Sequence, residues 1–370
     1  MRRVLVIEPY YGGSHKLFLN GLRKTVEADY TLLTLPARKW KVRMQLSAPW
    51  FVQELKKIPE EKRIFDTVLC STFVDVAVLR SLLVSVAGWN RDARIVTYFH
   101  ENQFVYPGQT TDPTIRQFTA INFTTALASD SCAFNSSFNL ESFLSAISSS
   151  LKKATDIKLP ACVDEIREKS VVLYPGMDYS FIDKANTHSN KQNSGPPVIV
   201  WNHRWEHDKG PELFFDSLYY LQEKNVSFRL IVMGESFVKK PACFVDAVVR
   251  LEKEILHFGY AESSEEYAKL LHQGDIIIST AKHEFFGISV LEGVRAGCYP
   301  LLPDDLSYPE LYNKNYLYEP GKLAERLLTF VKDPIHLEHT TAQNLTSLFD
   351  WNTCRNKYEK FLFRKTLELK

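Results

Sequence analysis

The stretch DIIISTAKHEFFGISVLEGVRAGCYPLLP, residues 275–303, decides the fold class. Two short apolar runs, DIIISTA (275–281) and CYPLLP (298–303), bracket a segment that opens at Phe286-Gly287 and carries only Glu292 and Arg295 as charges. Runs of that length bounded by turn residues read as buried strands, and the small, apolar segment between them reads as a covering helix. Strand, helix and strand in this order belong to a parallel sheet with helices on its faces.

The same alternation runs along the chain. Upstream, the strand candidates are VLVIEPY (4–10), YTLLTL (30–35), DTVLCS (66–71), RIVTYFH (94–100), SCAFNS (131–136) and SVVLYP (170–175). The polar segment DKANTHSNKQNSGPP (183–197) interrupts the pattern, which restarts with VIVWNHR, FRLIVMGE and ILHFGY. A chain of 370 residues with 45% hydrophobic content is long enough for two filled cores. We therefore expect an α/β protein of two doubly wound, Rossmann-like domains, at 1–182 and 198–340, joined by a linker at 183–197. Beyond about Glu319 only helices are expected, and residues 341–370 read as a closing helical segment with Asp350 as its N-cap. Ligands of such sheets bind beyond the carboxyl ends of the strands, which implies a cleft between the domains.

Composition excludes several classes. The formal net charge of +1 gives no bulk signal for a nucleic-acid coat or a membrane-surface protein. Locally, residues 1–63 carry 13 Lys/Arg against 6 Asp/Glu, and ARKWKVR (37–43) interleaves Arg38, Lys39, Lys41 and Arg43 with Trp40. That segment is a candidate surface for an anionic partner, against the plainer reading of a solvated basic face. Six scattered cysteines without a C-x-x-C pair suggest reduced thiols, neither a disulfide framework nor a zinc site. No run approaches the roughly 20 apolar residues that span a bilayer. A cytoplasmic or nuclear location with no membrane attachment is expected. Zincin, nucleophile-elbow and Walker motifs are missing, so no metal site is expected.

The loops after strands carry the candidate chemistry. The helix opening at Phe286-Gly287 offers free N–H groups and a positive dipole end to an anion. Glu292 lies five residues along, about 7.5 Å at the helical rise, where a carboxylate suits ribose hydroxyls. A pair with Arg295, three residues on, is the plainer explanation of that acid. Glu284, in the loop itself, is placed where a sugar joined to the phosphates would lie. In WNHRWEHDKGPE (201–212), Arg204 and Lys209 can converge on a diphosphate, as a planar fork and a point charge. Local pairing with Glu206 and Asp208 is the alternative. In the first domain, YYGGSHK (10–16) follows the first strand with Gly12, Gly13, His15 and Lys16; it does not match a dinucleotide fingerprint, and a bare turn explains the glycines equally. After RIVTYFH, the cluster His100, Glu101, Asn102 and Gln103 could hold sugar hydroxyls or an acceptor.

HEFFGISVLE (283–292) resembles the E-x7-E signature of the retaining GT-B glycosyltransferases, and the Arg204–Gly210 loop resembles their phosphate loop. YYGGSHK, LPARKW, YFHENQFVYP, FNSSFNLESF, WNHRWEHDKGPE and the stretch from Ser279 to Leu301 are together similar, in order over nearly the whole chain, to the branch of that family that mannosylates queuosine in tRNA. The resemblance implies a GT-B fold whose last helix returns to the first domain. It implies GDP-mannose as donor and, as acceptor, the cyclopentene hydroxyl of queuosine at the wobble position of tRNA-Asp, with neither cofactor nor metal. By the same resemblance Arg204 and Lys209 hold the diphosphate, Glu292 the ribose, and Glu284 with the Gly287-Ile288 backbone the mannose and phosphates. His283 and Phe286 belong to the same donor loop. Gly12, Gly13 and His15 line the boundary of donor and acceptor, and His100 touches the mannose. Lys16, Glu101, Asn102, Gln103 and the bases around Trp40 fall to the acceptor. Where the wider family has glycine before the phosphate-loop arginine, this chain has His203, a change that the branch shares. A GT-B transferase with another nucleotide sugar or acceptor, and a non-catalytic nucleotide- or RNA-binding relative, remain the alternatives.

Overall fold

The computed structural model describes residues 1–105, 115–153, 156–159, 161–185, 195–236 and 241–364. It divides into two compact units, residues 1–177 with 351–370 and residues 178–350.

The first unit is a six-stranded parallel sheet. Its strands are β1 (Arg3–Tyr11), β2 (Asp29–Pro36), β3 (Thr67–Ser71), β4 (Arg94–Phe99), β5 (Ser131–Phe134) and β6 (Ser170–Val172), in the order β2-β1-β3-β4-β5-β6. Alternate side chains of β1 feed two cores, as the period of two requires. Val4 and Val6 pack with Phe18, Leu19 and Leu22 of helix Gly13–Thr25 and with Trp351, Tyr358 and Phe361 of the last helix, Trp351–Phe363. Leu5 and Ile7 pack on the opposite face with Phe51 and Leu55 of helix Trp40–Lys57. The last helix is pinned by close approach: a Cβ at Gly21 or Gly176 would overlap the Trp351 indole, and Tyr358 donates to the carbonyl of Tyr174 at 2.7 Å.

The second unit repeats the plan with β7 (Val198–Asn202), β8 (Arg229–Met233), β9 (Ile255–Gly259), β10 (Ile276–Ile278), β11 (Tyr299–Pro303) and β12 (Leu317–Tyr318), ordered β12-β11-β10-β7-β8-β9. All the pairings in both sheets are parallel. The order reverses between β7 and β10, the switch point at which open α/β sheets bind ligands. In the first unit the reversal falls between β1 and β3.

The domain boundaries differ from those read in the sequence. Helix Ser180–Ala185, placed by the sequence partly in the first domain and partly in the linker, belongs to the second unit: the Ile182 carbonyl meets His272 Nε2 at 2.8 Å, and Asp183 takes both forks of Arg295 at 2.7 Å. Residues 186–194 of the expected linker lie outside the described residues. Helix His339–Ser347 also stays with the second unit, tied by Thr346 Oγ1 to Arg295 at 3.2 Å, so the return to the first unit begins at Trp351 instead of residue 341. The two-residue β12 escaped the sequence reading because a pair of residues carries no period.

Candidate active site

In the second unit, the chain leaving β7 turns through His203 to Glu206, forms a 3-10 turn at His207–Lys209, and enters helix Pro211–Glu223 through Gly210. This turn buries Lys209 to 8% exposure. Its ammonium donates to the His283 carbonyl at 2.9 Å and to Glu284 Oε2 at 3.2 Å, and lies 3.4 Å from Asp208 Oδ2. Burial opposes the charge, but Glu284 and Asp208 outweigh it and raise the lysine above its ordinary value. The two loops thus meet at the switch point, and the alternative pairing of Lys209 with Asp208 coexists with the longer-range one. Arg204 is different: its side chain is 46% exposed and lies 3.1 Å from Glu206 Oε2.

Glu284 closes the N-terminus of helix Ile288–Arg295 from within its own loop. Its Oε1 accepts from the N–H groups of Phe285 (3.1 Å), Phe286 (3.3 Å) and Gly287 (3.1 Å). Burial works against ionisation, yet Lys209, His203 and the Phe286 amide hold this carboxyl at about 2. The resemblance assigns the Gly287-Ile288 backbone, with Glu284, to the mannose and phosphates. In the structure the Gly287 amide and both carboxylate oxygens of Glu284 are engaged, and the helix-opening N–H groups without an acceptor among the described residues are those of Ile288 and Ser289. Gly287 itself sits at φ 93°, ψ 53°, and a Cβ there would be 3.2 Å from Tyr308 Cε1. His283 and Phe286 are buried at 4% and 2%; Phe286 packs edge-on against Phe349. His203, also buried, is lowered to about 4 by burial and then by Lys209.

Glu292 does not pair with Arg295, which is committed to Asp183 and Thr346. Its Oε2 instead accepts from the Tyr267 hydroxyl at 2.5 Å, and Tyr267 accepts from Asn202 Nδ2 at 2.6 Å. Burial raises this carboxyl to about 7, with the Tyr267 hydrogen bond pulling the other way. Neither Tyr267 nor Asn202 was singled out in the sequence: SEEYAKLLHQ (264–273) reads as an ordinary capped helix, and the asparagine as the end of a strand.

In the first unit, His15 enters from the first turn of helix Gly13–Thr25 and lies between two acids. Nδ1 is 3.0 Å from Glu8 Oε2 and Nε2 is 3.4 Å from Glu101 Oε2. Burial disfavours its charge, but Glu8 and Glu101 raise it to about 10. Its ring stacks on His100 at 4.0 Å, and His100 is driven well below the ordinary histidine value by burial and then by His15. Glu8 also accepts from the Tyr10 N–H (2.7 Å) and the Ser71 hydroxyl (3.1 Å), and Glu101 from Thr72 (2.7 Å). Glu8, His15 and His100 hold their ligand-type atoms within 4.8 Å of one another. His15 Nδ1 and Glu8 Oε2, 3.0 Å apart, are already at hydrogen-bond distance from each other, the geometry of an internal ion pair. Glu8, inside an apolar strand, was missed.

The remaining candidates separate. Asn102 is fully buried and spends its amide on Asn139 (2.9 Å) and Ser142 (3.2 Å), and its carbonyl on the Phe104 N–H (3.1 Å). Gln103 is 2% exposed, with its N–H on Asn122 Oδ1 at 2.9 Å. Tyr106 and Pro107, the end of YFHENQFVYP, lie outside the described residues. Gly12 is extended and Gly13 has φ 48°; Lys16 is exposed, 5.8 Å from the Tyr11 ring centre. Arg38, Lys39 and Lys41 are exposed and Arg43 half-buried, whereas Trp40 packs on Phe118 (5.1 Å) and Phe73 (6.1 Å). Two surface cavities of the first unit, about 760 and 660 Å³, are lined by none of these residues.

Two Rossmann-like units in one chain, with Lys209 and a helix N-terminus brought together at the switch point of the second, define the GT-B class of glycosyltransferase. Sucrose-phosphate synthase from Thermosynechococcus elongatus shares that fold, with TM-score 0.69, 12% identity and coverage of 97% of this chain and 98% of that one. Residues 3–177 match the family described as tRNA-queuosine alpha-mannosyltransferase N-terminal, and residues 183–346 match glycosyl transferases group 1. A tRNA-queuosine alpha-mannosyltransferase of Drosophila melanogaster is 36% identical over 339 residues, 90% of this chain and 87% of that protein. A GDP-mannose:cellobiosyl-diphosphopolyprenol alpha-mannosyltransferase of Xanthomonas oryzae pv. oryzae (strain PXO99A) is 21% identical over 174 residues, 44% of this chain and 45% of that protein. The chain belongs to the tRNA-queuosine alpha-mannosyltransferase family.

Proposed function

We propose that this protein transfers mannose, with retention, from GDP-mannose to the cyclopentene hydroxyl of queuosine at the wobble position of tRNA-Asp. Family membership supports the reaction and the nucleoside, and the partial likeness to a second mannosyltransferase whose name carries GDP-mannose supports the donor. The observation that supports the mechanism is the bond of Lys209 to Glu284, the residue that caps the start of the helix whose Ile288 and Ser289 amides have no acceptor among the described residues, beside the β7–β10 switch point.

In this reading the donor's diphosphate lies against those amides, Lys209 and Arg204, and Glu292 accepts from the ribose hydroxyls. The bond from the mannose anomeric carbon to the diphosphate oxygen breaks as the queuosine hydroxyl oxygen bonds to the same face, and the hydroxyl proton passes to the departing diphosphate. Charge grows on the leaving group in the transition state, where preorganised donors contribute most. No metal is called on, because Lys209 and Arg204 supply the positive charge. The neutral imidazole of His100, stacked on a charged His15, is available to a sugar hydroxyl. The exposed bases Arg38, Lys39 and Lys41 offer the tRNA backbone a contact surface.

Purified protein incubated with GDP-mannose and queuosine-containing tRNA-Asp should add one hexose to the nucleoside, read by mass spectrometry after digestion. Absence of that gain while GDP-mannose still binds would overturn the acceptor assignment, and the same tRNA without queuosine should remain unmodified.

A further inference from the structure

We propose that Tyr267, itself held by Asn202, is a positioning residue that fixes the Glu292 carboxylate through one oxygen and leaves the other for the vicinal hydroxyls of a nucleotide ribose. The inference rests on the reading of Glu292 as the ribose-binding acid.

Three side chains from three elements are linked in series. Asn202 ends β7, Tyr267 stands in the first turn of helix Ser264–Gln273, and Glu292 lies in helix Ile288–Arg295. Asn202 Nδ2 donates to the Tyr267 oxygen at 2.6 Å, and the Tyr267 hydroxyl donates to Glu292 Oε2 at 2.5 Å. Glu292 Oε1 has no partner among the described residues. The helix that carries Tyr267 is itself fixed at its start: Ser263 Oγ accepts from the Glu266 N–H at 3.1 Å, and Glu266 Oε2 accepts from the N–H of Glu262, the residue before the cap, at 2.7 Å. A phenol has one proton to donate; since Asn202 Nδ2 can only donate, the Tyr267 proton must lie toward Glu292. The carboxylate is therefore oriented before any ligand arrives.

A proton linkage follows. A diol donates to the ionised carboxylate, so binding draws Glu292 toward its charged form. The titrating groups facing Glu292 from packed elements are Tyr267 and Tyr179, both raised by burial above the ordinary phenol value, and Arg295 on its own helix, which Asp183 and Asp350 balance. None of them titrates near neutrality. Donor affinity should rise as pH climbs through about 7, where Glu292 ionises. Removing the Tyr267 hydroxyl takes away a bond to the charged form and moves that midpoint upward.

The test measures affinities of GDP-mannose and UDP-glucose from pH 5.5 to 9 by calorimetry, in wild type, Tyr267→Phe, Asn202→Ala and Glu292→Gln. Neither sugar nucleotide has a phosphate that titrates in this range. Tyr267→Phe should weaken binding about tenfold at pH 7, the effect of a hydrogen bond to a charged group, and the loss should shrink at pH 9. Asn202→Ala should weaken it less, and Glu292→Gln should abolish the pH dependence. A Tyr267→Phe loss of equal size at every pH, or no loss, overturns the proposal. Binding of UDP-glucose in place of GDP-mannose, with this pattern kept, overturns the donor assignment and leaves the positioning role standing. Binding of neither overturns both.

Discussion

Each unit buries a cation between two carboxylates just after its first strand. In the first it is His15, between Glu8 and Glu101; in the second it is Lys209, between Asp208 and Glu284. Each cation also has a neutral histidine beside it, His100 in one unit and His203 in the other, lowered by burial and by the neighbouring charge. The difference lies in what remains open. Both His15 nitrogens end on carboxylates, so that cation is consumed internally. Lys209 is bonded to Glu284, which caps a helix start where the Ile288 and Ser289 amides have no acceptor among the described residues. A buried charge becomes useful to an anion only where open amides lie beside it, which is why we propose the second unit for the diphosphate.

Breaking Lys209 should have the largest effect. Lys209→Met leaves Glu284 and Asp208 without their counter-ion, and removing one partner of a buried pair costs about 3–5 kcal/mol. Transfer should fall on the order of a hundredfold to a thousandfold, the usual loss of one preorganised transition-state donor. Lys209→Met combined with Glu284→Gln should recover much of the stability, read by denaturant unfolding, without recovering transfer. Recovery of both would make the lysine a structural cation like His15. The acid side gives a second check: Glu284 sits at about 2 against an ordinary 4.5, so its stabilising contribution is present above about 4.5 and is lost as pH falls toward 2.

His15→Gln tests the other half of the comparison. It leaves Glu8 buried without a cation, and a loss of about 3 kcal/mol is expected, with the affinity for GDP, which lacks the mannose, unchanged. The pH dependence separates charge from packing. His15 is raised from 6.5 to about 10, so its contribution is complete below pH 6.5 and is lost as pH rises through about 10. Wild-type stability should carry that alkaline slope and the variant should not. Equal slopes would show that the imidazole is not charged in the folded protein.

Sequence patterns located these two sites unequally, for a physical reason. The switch-point loops were legible because a strand, a turn and a helix start fall within a dozen residues: Lys209 and Glu284 each follow a strand closely, and their placement depends on local connection. What each oxygen touches was not legible. The sequence places Glu284 by the sugar and says nothing of the amides of Phe285 to Gly287 that its Oε1 caps. Glu8 hides in an apolar strand and finds Ser71 across 63 residues, and Tyr267 finds Asn202 across 65. Pairings at such separations come from sheet order, which no short motif encodes. The eleven longer strands were visible from apolar runs alone, while the boundaries moved because helices Ser180–Ala185 and His339–Ser347 are claimed by Arg295, one side chain of the second unit.

Gly287→Ala is the third test in order of size. The backbone at φ 93° is strained for any residue with a Cβ, and that Cβ would press on Tyr308 at 3.2 Å. A loss of roughly 1–2 kcal/mol is expected from the left-handed conformation alone. Because the same turn aims the Ile288 and Ser289 amides, donor affinity measured by calorimetry should fall together with stability. A destabilised variant that binds donor normally would detach those amides from the phosphates.

The smallest effects should come from the open side of the first unit. Arg38, Lys39 and Lys41 are exposed, and the Lys41 ammonium lies 5.6 Å from the ring centre of Trp40, which is itself half-buried against Phe73 and Phe118. A lysine or arginine there reaches solvent, where a phosphate can approach it, in contrast to the buried His15. Single alanine substitutions should leave folding and donor affinity alone and weaken tRNA binding severalfold each. The diagnostic is the slope of log affinity against log salt, which should become shallower by about 0.7–0.9 for each phosphate that is no longer neutralised. Trp40→Ala should behave differently, lowering stability by removing a ring from the cluster with Phe118 and Met44, with the salt slope unchanged. If the basic substitutions leave the slope unchanged too, the RNA backbone lies on another surface and ARKWKVR is only a solvated face.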